Sequence, residues 1–213
     1  MRRHLKRQSV PTKWPLAKKG TTFVVKNNSK GIPVLVVLRD LMNVAQNRAE
    51  VKSAIHKKHI IISGKPANDE KKSLELFDIL ILVPSKKNYQ LVLSKKGKYE
   101  IKEISEKETK TKVAKITGKK TLKRKKTQIN LSDGKNYFSD VDCKVGDSAV
   151  IEFENKKIVK ILPVKEKANV LVIGGKHIGE QGKIKSVIEG NMVEIETPEK
   201  NFRALIKQIM VLE

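Results

Sequence analysis

The chain has 213 residues, 38% of them hydrophobic, and its 46 Lys and Arg against 23 Asp and Glu leave a formal charge of +23. Five Phe, three Tyr and one Trp oblige any core to rely on Val, Ile and Leu, and they are too few for base stacking to be the main mode of binding. The single Cys143 excludes an internal disulfide and a cysteine-cluster zinc site, and the apolar stretches at 32–38 and 79–83 fall short of the roughly twenty residues a bilayer span takes.

The charge is polarised. Residues 1–139 hold 34 Lys and Arg against 11 Asp and Glu, whereas residues 140–213 hold 12 of each. No acid precedes Asp40, while Arg2, Arg3, Lys6, Arg7, Lys13, Lys18 and Lys19 have already passed. Such an excess calls for a polyanion, because counterion release from a nucleic-acid backbone supplies affinity without sequence choice. Length and composition fit several thin modules better than one large core. The basic N-terminus carries no apolar signal-peptide region, so the expected compartment is cytosolic and reducing.

Residues 1–31 mix cations with Pro11, Pro15 and Gly20 and show no helical or strand period, which predicts an extended arm, disordered in the free protein and ordered by assembly. Trp14 within it requires a place to bury its ring. From residue 32 a pattern emerges: Leu38, Leu41, Met42 and Ala45 share one helix face. Asn47 with Glu50 three residues on reads as a capping-box variant opening a second helix, whose apolar stripe is Val51, Ala54 and Ile55. Arg48 and Lys52, four apart, lie on one side of it, and Lys57 and Lys58 extend the charge past its end. A strand at 60–62 and the turn Ser63-Gly64-Lys65-Pro66 follow. Two short helices and a strand ending in this turn resemble the small RNA-binding module named after bacterial small-subunit ribosomal protein four. That resemblance implies RNA contact by Arg48, Lys52, Lys57, Lys58 and Lys65, and makes Asn47, which stands where the module has Ser, a cap.

Between residues 74 and 99, apolar strands at 74–83 and 89–93 alternate with lysine-rich turns, as in β-hairpins. A second charge run at 110–126, with Lys119, Lys120, Lys123, Arg124, Lys125 and Lys126 and no acid between Glu108 and Asp133, reads as a lysine-rich loop touching RNA. Strands at 128–131, 136–138, 149–153 and 157–162 complete a central antiparallel β domain.

At 169–184 a strand, a loop punctuated by Gly174, Gly175, Gly179 and Gly182, and a returning strand resemble the KOW motif of ribosomal and transcription-elongation proteins, implying a small SH3-like barrel. Lys176, His177 and Lys183 are its candidate contacts. Neither a phosphate-loop nor a dinucleotide signature fits these glycines.

The order of arm, helical module (32–84), central β domain with its lysine-rich loop (85–165) and KOW module (166–213) resembles, over essentially the whole chain, the e-type family of ribosomal protein four. Arg3-His4-Leu5-Lys6-Arg7 and Val10-Pro11-Thr12-Lys13-Trp14 match that family's N-terminal pattern. The fold class implied is α+β, mostly β, in several modules. The resemblance further implies a non-enzymatic structural constituent of the small ribosomal subunit, without cofactor, metal, membrane or small-molecule substrate. Its partners would be ribosomal RNA, touched by His4, Lys6, Arg7, Lys13 and Trp14, and neighbouring subunit proteins. Two other readings are an RNA-modifying enzyme bearing the same helical module and a KOW-type elongation factor. The histidines lack metal-ligand spacing, and Asp78, Asp133 and Asp140 form no evident catalytic set.

Overall fold

A computed structural model describes residues 4–122, 127–139, 141–155, 157–188 and 191–212. It divides into two compact units, Met1–Leu93 with Lys98–Thr109, and Ser94–Gly97 with Lys110–Glu213. Every strand pairing among the described residues is antiparallel. Strand predominates over helix, as the sequence implied.

In the first unit, β1 (His4–Lys6) pairs with β2 (Phe23–Val25), Leu5 opposite Val24. The loop between them is closed by Arg7, whose Nε donates to Thr21 O (2.7 Å), Nη1 to Ala17 O (3.0 Å) and Nη2 to Thr21 Oγ1 (2.8 Å). Val10, Trp14 and Val24 enter the core of the unit; Trp14 is 3% exposed, and its indole N–H donates to Gly31 O at 3.1 Å. Within residues 4–31 the chain is thus tied back to the rest of the first unit by these contacts. Strands of three residues are too short to display a period of two, and the anchoring contacts link positions far apart in sequence.

β3 (Ile32–Pro33) leads into α1 (Val34–Val36), which continues as a π-helical stretch over Val37–Leu41. Val34 to Leu38 are all buried, so no polar face marks the helix start, and the apolar stripe read from sequence placed the element several residues late, with Ala45 beyond its end. α2 (Arg48–His56) begins at Asn47, whose side chain accepts from the Glu50 N–H at 3.0 Å. Glu50 reaches back to the Gln46 N–H at 2.7 Å, one residue earlier than in the usual capping box. β4 (Ile60–Ile62) and β5 (Lys65–Pro66) are joined by Ser63 and Gly64 at φ 45° and 78°, the left-handed pair a two-residue hairpin requires.

β6 (Ser73–Leu74) pairs with β3, and β7 (Ile79–Leu82), β8 (Lys87–Leu93) and β9 (Tyr99–Glu103) complete a sheet of order β5-β4-β7-β8-β9. The single strand expected over 74–83 is thus two. Between them Phe77 turns the chain at φ 63°, and Asp78, buried, accepts from the Glu75 N–H at 2.8 Å and from the Ser63 hydroxyl at 2.7 Å. The apolar Leu76-Phe77 pair disguised this turn as strand.

In the second unit, β10 (Thr111–Thr121), β11 (Thr127–Leu131), β12 (Asn136–Phe138), β13 (Ser148–Glu152) and β14 (Lys157–Leu162) form a sheet of order β12-β11-β10-β13-β14. The lysine-rich run expected as a loop is, up to Thr121, the long central strand of this sheet. Lys112 is buried with its Nζ 2.6 Å from the Asp133 carboxylate. Lys115, 5% exposed, donates to the carbonyls of Ile206 and, at 2.6 Å, Ile209. Both cations find partners distant in sequence, which a local charge count does not register.

β15 (Asn169–Val172), β16 (Gln181–Ile188), β17 (Met192–Glu196), β18 (Asn201–Leu205) and β19 (Ile209–Val211) form a second sheet, of order β18-β17-β16-β15-β19. One core packs Ile116, Ile129, Leu131, Cys143 and Ile151; another packs Val170, Ile184, Val193, Ile195 and Ile209 together with Val150 and Leu162. Gly182 lies where β16 crosses close to Glu196, and a Cβ there would meet the Glu196 carbonyl.

Two expectations follow. Trp14→Ala lowers the stability of the first unit by about 3–5 kcal/mol, read from urea denaturation. Burial pushes the Lys115 ammonium down from 10.5 to about 8. Between those values the unfolded chain binds more protons than the folded one, so stability rises with pH across the window and the cost of the buried charge is full below it. Lys115→Met removes that slope from denaturation midpoints measured from pH 7.5 to 11.

Candidate nucleic-acid interface

The helical module concentrates exposed cations on consecutive elements. Lys52 lies on α2, Lys57 and Lys58 follow its end, and Lys65 opens β5; all four are exposed. Lys58 turns the chain at φ 56°, and its backbone N–H donates to Ile55 O at 2.9 Å, so the turn after the helix is fixed. Asn47 serves as the cap, as its residue type implied.

Arg48 is partly committed. Its Nε donates to both Glu70 oxygens at 2.9 and 2.8 Å, and its Nη2 also engages Oε1. Glu70 is 4% exposed, and its hydrogen bond to Arg48 holds the carboxyl below its ordinary value, with the charges of Arg48 and Lys52 adding to the effect. Arg48 thus fastens α2 to the segment before β6 while its own side chain stays 59% exposed.

On the N-terminal ribbon, His4 and Lys6 are exposed on one face of β1, and Lys18 and Lys19 are exposed in the loop before β2. Two residues proposed there as contacts, Trp14 and Arg7, have side chains engaged by protein, and a third, Lys13, is partly withdrawn from solvent. Trp14 is inside the core with its N–H bonded, so no ring face is left for a base; the need for burial that the sequence registered is met by protein. Arg7 closes the loop, and Lys13 is half-buried, its ammonium lowered by desolvation, with its carbonyl accepting from the Tyr99 N–H at 2.8 Å. Phe23 and Lys26, on or beside β2, escaped the sequence reading because the strand itself did.

In the second unit Lys119 and Lys120 are exposed near the end of β10, Lys119 donating to Asp142 at 3.1 Å. Arg2, Arg3, Lys123, Arg124, Lys125 and Lys126 lie outside the described residues. In the glycine-rich loop Lys176 is exposed, as is Lys183 on β16. His177 stacks on Phe202 (centroids 4.1 Å apart, planes 21°) with its Nδ1 3.2 Å from Glu180 Oε1, which also accepts from Lys200 at 2.8 Å. Lys200 foremost, then His177, hold the Glu180 carboxyl low.

The acids a catalytic reading would use are structural where they are described: Asp78 secures a turn and Asp133 neutralises Lys112, while Asp140 lies outside the described residues. Among the described residues no group of His, Cys, Asp and Glu is placed to hold a metal, and no helix is long and apolar enough to cross a membrane.

Small β-rich modules carrying exposed lysines on helix ends, turns and strand tips define the class of modular nucleic-acid-binding proteins. Residues 1–29 match the RS4NT (NUC023) domain and residues 85–158 match the Ribosomal family S4e. The small ribosomal subunit protein eS4 of Methanosphaera stadtmanae is 33% identical over 222 residues, covering 99% of this chain and 92% of that protein. Its counterpart in Methanocella arvoryzae is 31% identical, covering 98% and 93%. The crystal structure of the 30S ribosomal protein S4e from Thermoplasma acidophilum shares the fold at a TM-score of 0.74 and 18% identity, covering 87% of this chain and 96% of that one. The chain belongs to the eS4 family of small ribosomal subunit proteins.

The Arg48–Glu70 pair is asymmetric, and its mutants behave accordingly. Arg48→Ala strands a buried carboxylate and costs about 3 kcal/mol, whereas Glu70→Gln leaves an exposed guanidinium and costs about 1 kcal/mol or less, both read from chemical denaturation.

Proposed function

We propose that this chain is held in the small subunit by ribosomal RNA, with its modules giving shape and its exposed cations neutralising closely packed phosphates. The observation that carries this reading is the set of exposed lysines on the helical module, Lys52, Lys57, Lys58 and Lys65, with the part of Arg48 that Glu70 leaves open. Helical RNA offers phosphates and 2′-hydroxyls more readily than its deep-groove base edges, so point charges fix register with little reading of sequence. His4, Lys6, Lys18, Lys19, Lys119, Lys120, Lys176 and Lys183 are the further contacts of this reading, and Arg48 joins them through its open side. The C-terminal sheet is read as the KOW module. Neighbouring subunit proteins are the remaining partners, the compartment is the cytoplasm, and the work needs no cofactor and no catalysis.

Sedimentation of cell extract through sucrose gradients tests the reading: the protein remains in the small-subunit peak after a high-salt wash, and its release to the light fractions overturns it. With purified protein and small-subunit RNA, changing Lys52, Lys57, Lys58 and Lys65 to Gln together reduces the slope of log affinity against log salt by roughly one for each phosphate no longer neutralised. An unchanged slope removes the helical module from the interface.

A further inference from the structure

We infer that the outer face of the β1–β2 ribbon is a site for an unpaired nucleotide, its base stacked on Phe23 and its phosphates on Lys6 and Lys26. This rests on the RNA-binding reading and adds a mode of recognition to it. The register sets Lys6 directly across from Phe23 and His4 across from Val25, so His4, Lys6 and Phe23 share one face, while Leu5 and Val24 turn to the core. Phe23 is 53% exposed, in a chain with only five Phe. Phe23 thus presents ring surface to solvent directly across from a lysine, the combination of aromatic platform and cation by which proteins hold single-stranded nucleic acid.

The His4 ring centroid is 4.3 Å from that of Phe23, with planes at 65°, an edge-to-face pair whose two members are both exposed. Around the pair His4, Leu5, Lys6, Ser9, Phe23 and Lys26 line a hollow of about 440 Å³, within the range of small-ligand sites. The chemistry of the hollow selects its occupant: a π face for a base, two ammonium groups for phosphate, and no carboxylate side chain anywhere in residues 1–39. A base in a paired helix cannot present its face to a side chain, so the occupant is an unpaired nucleotide.

The test uses the full chain, a single-stranded RNA decamer carrying 2-aminopurine, and a duplex of the same length. Phe23→Leu keeps an apolar side chain at an exposed position and removes the π face. It is expected to weaken decamer binding about ten-fold, to abolish the quenching of 2-aminopurine, and to leave both duplex affinity and the salt slope unchanged. Lys6→Gln instead lowers the salt slope on the decamer by about one. If Phe23→Leu binds and quenches the decamer as the parent does, the stacking site is refuted, and a protein partner becomes the occupant to seek for the exposed ring. If the parent binds neither RNA, the RNA reading itself fails, and this site with it.

Discussion

Mutual repulsion among cations is the constraint under which this protein folds. With 46 Lys and Arg to 23 Asp and Glu, no arrangement pairs them all, and thin cores of Val, Ile and Leu have little stability in reserve. The fold meets this by putting lysines on turns and helix ends, where long side chains keep their charge in water, and by confining internal cations to a few sites with defined partners. A strongly basic chain of this kind folds within limits set by its surface as much as by its cores.

The two internal lysines of β10 illustrate different solutions. Lys112 meets a carboxylate nearly as buried as itself, an arrangement whose Coulomb attraction is opposed by the desolvation of both ions. Lys115 meets two backbone carbonyls flanking the start of β19. The Ile206 carbonyl also accepts from the Ile209 N–H, so the ammonium is a second donor to that oxygen and ties the turn before β19 to β10. The side chain links the central strand of one sheet to the closing segment of the other, and Ser148 does likewise by accepting from the Val211 N–H at 2.9 Å.

Much of the architecture was legible. Asn47 and Glu50 announced α2, the Ile60–Ile62 strand and its Ser63-Gly64 turn lay where their residues placed them, and Lys157–Leu162 matched its expected bounds. The misreadings share a physical cause, which is that local patterns do not record partners distant in the chain. The lysines of β10 read as loop because their counter-groups at Asp133, Ile206 and Ile209 come later. The strands of the ribbon went unread because Trp14 answers to Gly31 and Arg7 to Thr21. Phe23 escaped attention because an exposed aromatic is recognisable only once its strand is known. The exposure of the lysines on turns was legible from their type and setting, whereas the groups that engage Arg48 and Arg7, Glu70 and Thr21, lie too far along the chain for a local pattern to record.

The folded N-terminal segment has a thermodynamic consequence. A disordered basic tail must give up its conformational freedom at the moment of binding, so part of its electrostatic gain is lost to chain entropy. Here the Trp14 anchor and the Arg7 clasp settle that loss during folding. A ribbon folded in advance carries no such ordering cost into binding, so what it spares is entropy, and the heat-capacity change is smaller than coupled folding would give.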